Sequence, residues 1–180
     1  GYPGEPIGYE LYCNSEDARY FWDRLIELGA KPTALGARDT TRMEAPLPLY
    51  GHEMGECEMG GEIQIYAVPL AKFAVSFDEA KGDFIGREPL KKQFEALKKI
   101  MNRDYSSIED LPYRIQPIYL EGKGVLRKGF PIYCKDAWAE GKQIGYVTSG
   151  TMIPYYKTEG QGLESVFTDE TGKRSIGLAY

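Results

Sequence analysis

The sequence predicts an α+β fold, in which a helical first part is followed by a region of short strands. Apolar residues recur at helical spacing in two stretches, one beginning near Asn14 and the other near Glu88. Beyond Pro112 the pattern changes to short apolar runs separated by glycines, which is typical of antiparallel strands joined by turns. We therefore expect a small mixed α/β part and, after it, an antiparallel β-barrel or β-sandwich.

The first predicted helix follows Asn14 or Ser15, either of which can cap its N-terminus, and it ends at Gly29. Residues 9–13 alternate between apolar and polar types and predict a strand just before it. The helix carries an apolar stripe that we expect to be buried in a core. The stripe consists of Ala18, Phe21, Trp22, Leu25, Ile26 and Leu28.

A second amphipathic helix is predicted to begin with Glu88 and Pro89. Proline suits the first helical position. The expected buried face of this helix is formed by Leu90, Phe94, Leu97 and Met101. Before it, residues 63–68 and 72–77 predict two strands on either side of Pro69. The polar residues 102–112 lack an apolar period and predict a linker between a domain at 1–101 and a domain at 113–180.

Short strands are predicted in the second domain, with glycines at the turns between them. We place these strands at residues 113–120, 129–134, 143–151 and 175–180. Residues 158–173 contain Gly160, Gly162 and Gly172 and predict a long hairpin excursion.

Residues 35–53 are the most distinctive part of the sequence. If residues 36–45 are helical, Arg38 and Arg42 share one face, which destabilises a helix by roughly 0.2–0.5 kcal/mol unless an anion intervenes. Asp39 can neutralise Arg42, so we expect Arg38 to meet a carboxylate from another segment or from a ligand. A helix fastened to its neighbours by surface ion pairs is the alternative that the pattern alone favours.

Composition excludes several classes of function. The formal net charge is −5, and no basic cluster is interleaved with aromatic residues, so a nucleic-acid surface is not expected. No apolar run reaches the roughly 20 residues that span a bilayer. The three cysteines, Cys13, Cys57 and Cys134, are odd in number and widely spaced, which predicts reduced thiols in a cytoplasmic protein.

Metal and acyl-transfer chemistry also lack support in the sequence. His52 is the single histidine, so neither a multi-histidine metal site nor a serine–histidine pair can be assembled. Four glutamates lie close together at Glu53, Glu56, Glu58 and Glu62. We expect this cluster to be a solvated loop and not a metal site.

Whole motifs, and not only residue types, resemble one known family. The run GARDTTRMEA, followed by PLYGHE, resembles the GARDxxRLEAGxPLYGxE signature of the aminomethyltransferase family, the T-protein of the glycine cleavage system. The opening GYPGEPIGYELY is similar to that family's GYTGExGxEI segment. GDFIGREPL, VTSGT and SIGLAY are similar to its later landmarks and occur in the same order. The resemblance covers essentially the whole chain.

The resemblance implies a C-terminal half of a longer chain, with a ferredoxin-like first part that contributes to a folate site and an incomplete antiparallel β-barrel after it. Family members pass a one-carbon unit from an aminomethyl group on a lipoyl-bearing carrier protein, the H-protein, to tetrahydrofolate. Glu10 would accept the paired N–H groups of the pterin, because charge-assisted hydrogen bonds are strong. Glu5 is the second choice for this role, Arg38 would face the folate from the opposite side, and Tyr50 could line the pocket or belong to the core.

Catalytic residues are not expected in this chain, because the resemblance places the family's critical aspartate in the other half. Arg42 and Glu44 would serve the structure as ion-pair partners, and His52 would be a capping or rim residue. The missing half would leave a sheet edge at residues 9–13 open to association with another chain.

Sequence drift keeps two alternative functions open. The stretch after YGHE and the MIPYY segment depart from the family pattern, which favours a tetrahydrofolate-dependent demethylase paralogue with another one-carbon donor. A non-catalytic folate-binding module is the third interpretation, although the retained GARDxxR and PLYGHE motifs favour an enzyme.

Overall fold

The structure is a computed structural model that describes residues 4–136 and 139–180. It contains two compact units, Gly1–Leu47 and Pro48–Tyr180, which are described separately. Helices and antiparallel sheets are both present, so the predicted α+β class is confirmed. Among the described residues, no helix combines the length and the apolar character needed to cross a membrane.

Two helices form the framework of the first unit. Helix α1 spans Ala18–Glu27 and helix α2 spans Leu35–Glu44. The chain leaves α1 through Gly29, whose φ of 95° is a conformation that glycine adopts without a steric penalty. Helix α2 stops before Pro46, as predicted, because proline lacks a backbone donor and disfavours helical geometry in its predecessor.

Two predictions for the first unit are wrong. Residues 9–13 do not belong to a strand, and the described part of this unit offers two helices but no neighbouring strand to complete a ladder. The apolar stripe of α1 is not buried within the described chain: Trp22 is 55% exposed and Leu28 is 69% exposed. Periodicity identified the helix correctly, but the packing partner that the stripe implies is not among the described residues.

Helix α3, Arg87–Met101, lies at the core of the second unit. Its buried residues are Ala96, Leu97 and Ile100, and Met101, which was expected to be buried, is 56% exposed. The core around them is formed by Ile63, Tyr66, Ala67, Val68, Ala71, Leu111, Ile115, Tyr146, Leu178 and Tyr180.

The two strands expected at residues 63–68 and 72–77 are largely replaced by short 3₁₀ turns. A small antiparallel pair joins β1, Gly55–Glu56, to β2, Glu62–Ile63. The chain then turns through Ile65–Ala67 and Pro69–Phe73. Pro69 cannot donate a hydrogen bond to a ladder, so the apolar run forms turns instead of strands. Tyr66 and Val68 are buried in these turns, whereas Phe73 is 79% exposed.

The main sheet has four antiparallel strands in the order β3-β6-β5-β4. Their bounds are Gln116–Leu120 for β3, Pro131–Tyr133 for β4, Gln143–Glu159 for β5 and Val166–Ala179 for β6. The sheet is not closed into a barrel within the described residues. The predicted hairpin excursion is confirmed, because β5 and β6 continue as a ribbon to the pair Glu159–Val166.

Residues 102–112 lie inside the second unit. They include a 3₁₀ turn at Ile108–Asp110, and the side chain of Leu111 is fully buried in the core. The division into domains at 1–101 and 113–180 stays a prediction.

Candidate functional site

A groove of about 810 Å³ lies in the first unit and is formed by the segment that follows Gly4 and by one face of α2. Its lining contains two carboxylates, one guanidinium and an aromatic ring. The lining residues are Glu5, Gly8, Tyr9, Glu10, Thr33, Ala37, Arg38 and Thr41.

Helical periodicity explains the contribution of α2 to this groove. Ala37, Arg38 and Thr41 are one, three and four positions apart, so their side chains share a face of the helix. The hydroxyl of Thr41 donates to the carbonyl oxygen of Arg38 at 3.1 Å, which turns the hydroxyl back onto the helix.

Gly4 allows the chain at its own position to lie directly against α2. Its φ is 98°, and a Cβ atom at this position would overlap the carbonyl oxygen of Thr41. The side chain of Ala45 would be a further close neighbour. The glycine of the GYPGE motif is therefore required by the close approach of two backbones, and this approach positions the residues that follow it along the groove.

Three of the predicted site residues meet in this groove: Glu5, Glu10 and Arg38. The hydroxyl of Tyr12 donates to Oε2 of Glu10 at 2.8 Å. A carboxylate has about four lone-pair directions, so Glu10 retains acceptor capacity after this bond. The arrangement combines acceptors for N–H groups with a cation for an anionic substituent. Among the described residues, no group of three or more histidine, cysteine, aspartate or glutamate side chains could hold a metal ion.

Arg42 has a structural environment, as predicted. It is 4% exposed, its Nε donates to Oδ1 of Asp39 at 2.7 Å, and one terminal nitrogen donates to the carbonyl oxygen of Leu47 at 3.0 Å. The planar guanidinium thus fastens the chain that leaves α2. Glu44 is exposed.

Tyr50, the fourth predicted site residue, belongs to the second unit, where it is 80% exposed. The alternative that Tyr50 packs in the core is therefore wrong, and its role in a pocket stays a prediction.

The sequence did not predict five residues that line the groove: Gly8, Tyr9, Thr33, Ala37 and Thr41. Ala37 and Thr41 could have been predicted from the sequence as lining residues, because they share the helical face of Arg38.

A second cluster, in the other unit, surrounds the buried carboxylate of Glu53. Its Oε1 accepts hydrogen bonds from Thr148 Oγ1 and Ser149 Oγ, each at 2.6 Å, and its Oε2 accepts one from the backbone of Leu49 at 2.9 Å. The interpretation of Glu53 as part of a solvated loop is wrong, whereas Glu56, Glu58 and Glu62 are exposed.

His52 lies beside this cluster. Its Nδ1 is 3.2 Å from the carbonyl oxygen of Thr148 and 3.3 Å from the hydroxyl of Ser149. Both strand residues are buried, so the arrangement fastens a loop to β5 and does not present a nucleophile to solvent.

Residues 1–68, which include every residue of the groove, match the GCVT N-terminal domain. The chain is 40% identical over 161 residues to the aminomethyltransferase of Halalkalibacterium halodurans, an alignment that covers 87% of this chain. It is 38% identical over 179 residues to that of Staphylococcus saprophyticus, and this alignment covers 99% of the chain. The chain belongs to the aminomethyltransferase family.

The aminomethyltransferase relatives are considerably longer than this chain, which spans 37% and 38% of the length of these two. A third relative, from Bacillus cereus, is 36% identical over 183 residues, and 38% of its length is covered. No solved structure matches the chain at a significant level. The match to the GCVT N-terminal domain and the groove thus fall on the same segment of the sequence, residues 1–68.

Proposed function

We propose that the groove binds the pterin part of tetrahydrofolate and that the protein is a transferase acting in glycine cleavage. In this reaction a one-carbon unit passes from an aminomethyl group on a lipoyl-bearing carrier protein to tetrahydrofolate. The observation that carries the proposal is the convergence of Glu5, Glu10 and Arg38 on one groove in the segment that matches the family domain.

The residues present fit such a ligand. A pterin ring presents a ring N–H and an exocyclic amino group side by side, and a carboxylate can accept from both. Glu10 and Glu5 supply carboxylates, and Tyr9 supplies an aromatic face. A volume of about 810 Å³ lies within the range of roughly 300–1,000 Å³ found for small-molecule sites.

Distinct roles follow for the three charged residues. Glu10 accepts the pterin N–H groups, and the hydroxyl of Tyr12 fixes one of its oxygens for that task. Arg38 attracts an anionic or electron-rich part of the ligand from the α2 side. Glu5 lies five positions before Glu10 in the segment that lines the groove, and it is the second carboxylate candidate. The carrier protein as partner, and the cytoplasm as location, belong to the same proposal.

The test uses a chimera in which this chain replaces the matching region of the Halalkalibacterium halodurans aminomethyltransferase. Tetrahydrofolate is titrated against the chimera and against its Glu10→Gln variant by calorimetry. A hydrogen bond to a charged group contributes about 1.5–3 kcal/mol, so the dissociation constant should rise roughly tenfold to a hundredfold.

Glu16→Gln is the matched control, because Glu16 is an exposed glutamate of the same unit that does not line the groove. This variant should bind as the unmodified chimera does. Equal affinity of the Glu10→Gln variant and the unmodified chimera would refute the assignment of Glu10. Binding that is retained in a chimera without transfer activity would support the folate-binding module instead of the enzyme.

A further inference from the structure

The groove contains two carboxylates, whereas the paired N–H groups of a pterin need only one. Glu5 and Glu10 both line the groove, and Gly8 and Tyr9 lie between them in sequence and line it too. One carboxylate accepts both the ring N–H and the neighbouring amino group, so Glu10 satisfies that edge of the ring. The carboxylate of Glu5 then needs a different donor.

A carboxylate is a selective partner, because it accepts hydrogen bonds and donates none when it is ionised. The hydroxyls of Tyr9 and Thr33, which also line the groove, can either donate or accept. They therefore tolerate a ring nitrogen that carries a hydrogen and one that carries a lone pair. Glu5 tolerates only the first kind.

The oxidation state of a pterin changes the ring that contains the N5 and N8 nitrogens. In tetrahydrofolate both nitrogens carry a hydrogen and can donate, whereas in folic acid both have lone pairs and only accept. The edge assigned to Glu10 is the same in the two compounds. A carboxylate beside N5 or N8 is therefore attracted to the reduced ring and repelled by the oxidised one.

Arg38 has the opposite requirement, because a guanidinium donates hydrogen bonds and accepts none. It lines the groove from α2 and suits an acceptor such as the carbonyl oxygen of the pterin. Both forms of folate carry that oxygen. Arg38 thus contributes to affinity without separating the reduced ring from the oxidised ring.

We propose that Glu5 makes the groove selective for the reduced pterin by accepting a hydrogen bond from N5–H or N8–H. Glu10 meanwhile holds the edge that both oxidation states share. This specificity-determining role for Glu5 rests on the proposed folate function and adds to it. The alternative is an ion pair between Glu5 and Arg38, whose loss would weaken the binding of both compounds alike.

The test compares tetrahydrofolate, kept reduced under anaerobic conditions, with folic acid. The two ligands share the same tail and differ in the oxidation state of the ring. Each is titrated by calorimetry against the chimera with the Halalkalibacterium halodurans aminomethyltransferase and against its variants. The unmodified chimera should bind tetrahydrofolate at least about tenfold more tightly than folic acid, because a hydrogen bond to a charged group is strong.

Glu5→Gln should lower this preference about tenfold. The dissociation constant of tetrahydrofolate should rise, while that of folic acid should stay unchanged or fall, because the amide can donate to a ring lone pair. Glu10→Gln should raise both constants by a similar factor and leave the preference intact. Glu16→Gln, an exposed glutamate of the same unit outside the groove, should change neither constant.

Two results would overturn the role of Glu5 alone. One is an unmodified chimera that binds the two compounds equally, and the other is an unchanged preference in Glu5→Gln. Equal weakening of both compounds by Glu5→Gln would favour the ion pair with Arg38. In these cases a loss of binding in Glu10→Gln leaves the proposed function standing. An unmodified chimera that binds neither compound would refute the proposed function, and the role of Glu5 with it.

Discussion

The carboxylate of Glu53 accepts a 2.6 Å hydrogen bond from the hydroxyl of Thr148, although 95 positions separate the two residues. Ser149 donates a second bond to the same oxygen at 2.6 Å. The carboxylate is fully buried, so water cannot replace either donor. These bonds fasten the loop that follows Pro48 to the first half of β5.

Replacement of Glu53 by glutamine should destabilise the chain by about 1–3 kcal/mol, because a neutral amide accepts weaker bonds and brings a donor toward other donors. The free energy of unfolding in urea measures the effect. Glu56→Gln is the control, since Glu56 is exposed and should change stability little. Equal values for the two variants would show that the buried carboxylate is not a stabilising group.

Arg42→Lys should reduce the free energy of unfolding by about 1–3 kcal/mol, because a lysine cannot reproduce the fork that reaches both Asp39 and Leu47. Arg24 offers a matched control. It pairs with Glu27 at 2.9 Å with the same sequence spacing, but its side chain is 56% exposed. Arg24→Lys should therefore stay within about 0.5 kcal/mol of the unmodified chain. Similar losses in both variants would contradict a special role for Arg42.

Two glycines of the first unit should respond in opposite directions to alanine. Gly4→Ala should lower stability by about 1–3 kcal/mol, because φ is positive and the new Cβ would overlap the Thr41 carbonyl. Gly36 lies inside α2 with no atom within 4 Å of an added Cβ. Gly36→Ala should thus raise stability by about 0.4–1 kcal/mol through better helix propensity. Thermal unfolding of both variants measures the change in stability. A change in the same direction for both variants would contradict the geometry at Gly4.

Alkaline pH should destabilise the second unit through Tyr146. Burial raises the pKa of its hydroxyl well above the ordinary value, while the backbone N–H of Glu58 donates to it at 3.2 Å. The folded state therefore retains this proton after the unfolded chain has lost it. Its contribution is complete below about pH 10 and is lost as pH rises above that value, by up to about 1.4 kcal/mol per pH unit.

The measurement is unfolding free energy against pH for the unmodified chain and for Tyr146→Phe, which should show a shallower alkaline decline. Burial also raises the pKa of Tyr180, so part of the decline should remain. Tyr133→Phe is the control, since Tyr133 is 57% exposed. Identical slopes for Tyr146→Phe and the unmodified chain would contradict this assignment.

Local sequence signals predicted what depends on near neighbours. The end of α2 before Pro46 and the ion pair between Asp39 and Arg42 both follow from spacing along one helix. The motif resemblance then placed Glu10 and Arg38 together before their geometry was known. That step needed whole motifs, because no rule of periodicity joins a loop residue to a helix beyond α1.

Features that depend on distant partners could not be predicted. Alternation at residues 9–13 resembles a strand, but a ladder forms only where a neighbour completes it. Glu53 resembles the exposed glutamates beside it in sequence, and its burial depends on Thr148 and Ser149 in β5. The effect of Pro69 on the surrounding apolar run likewise depends on the core into which Tyr66 and Val68 pack.

The long β5–β6 hairpin also has a consequence for the order in which the second unit folds. Its tip joins residues only seven positions apart, Glu159 and Val166, so the first rungs close a short loop at a small cost in chain entropy. Pairing can then proceed toward Val147 and Ala179 one rung at a time. The bond between Glu53 and Thr148 must close a far longer loop, and it has a complete binding surface only after β5 has formed. We therefore expect the hairpin to act as the kinetic template on which the loop of Glu53 docks late.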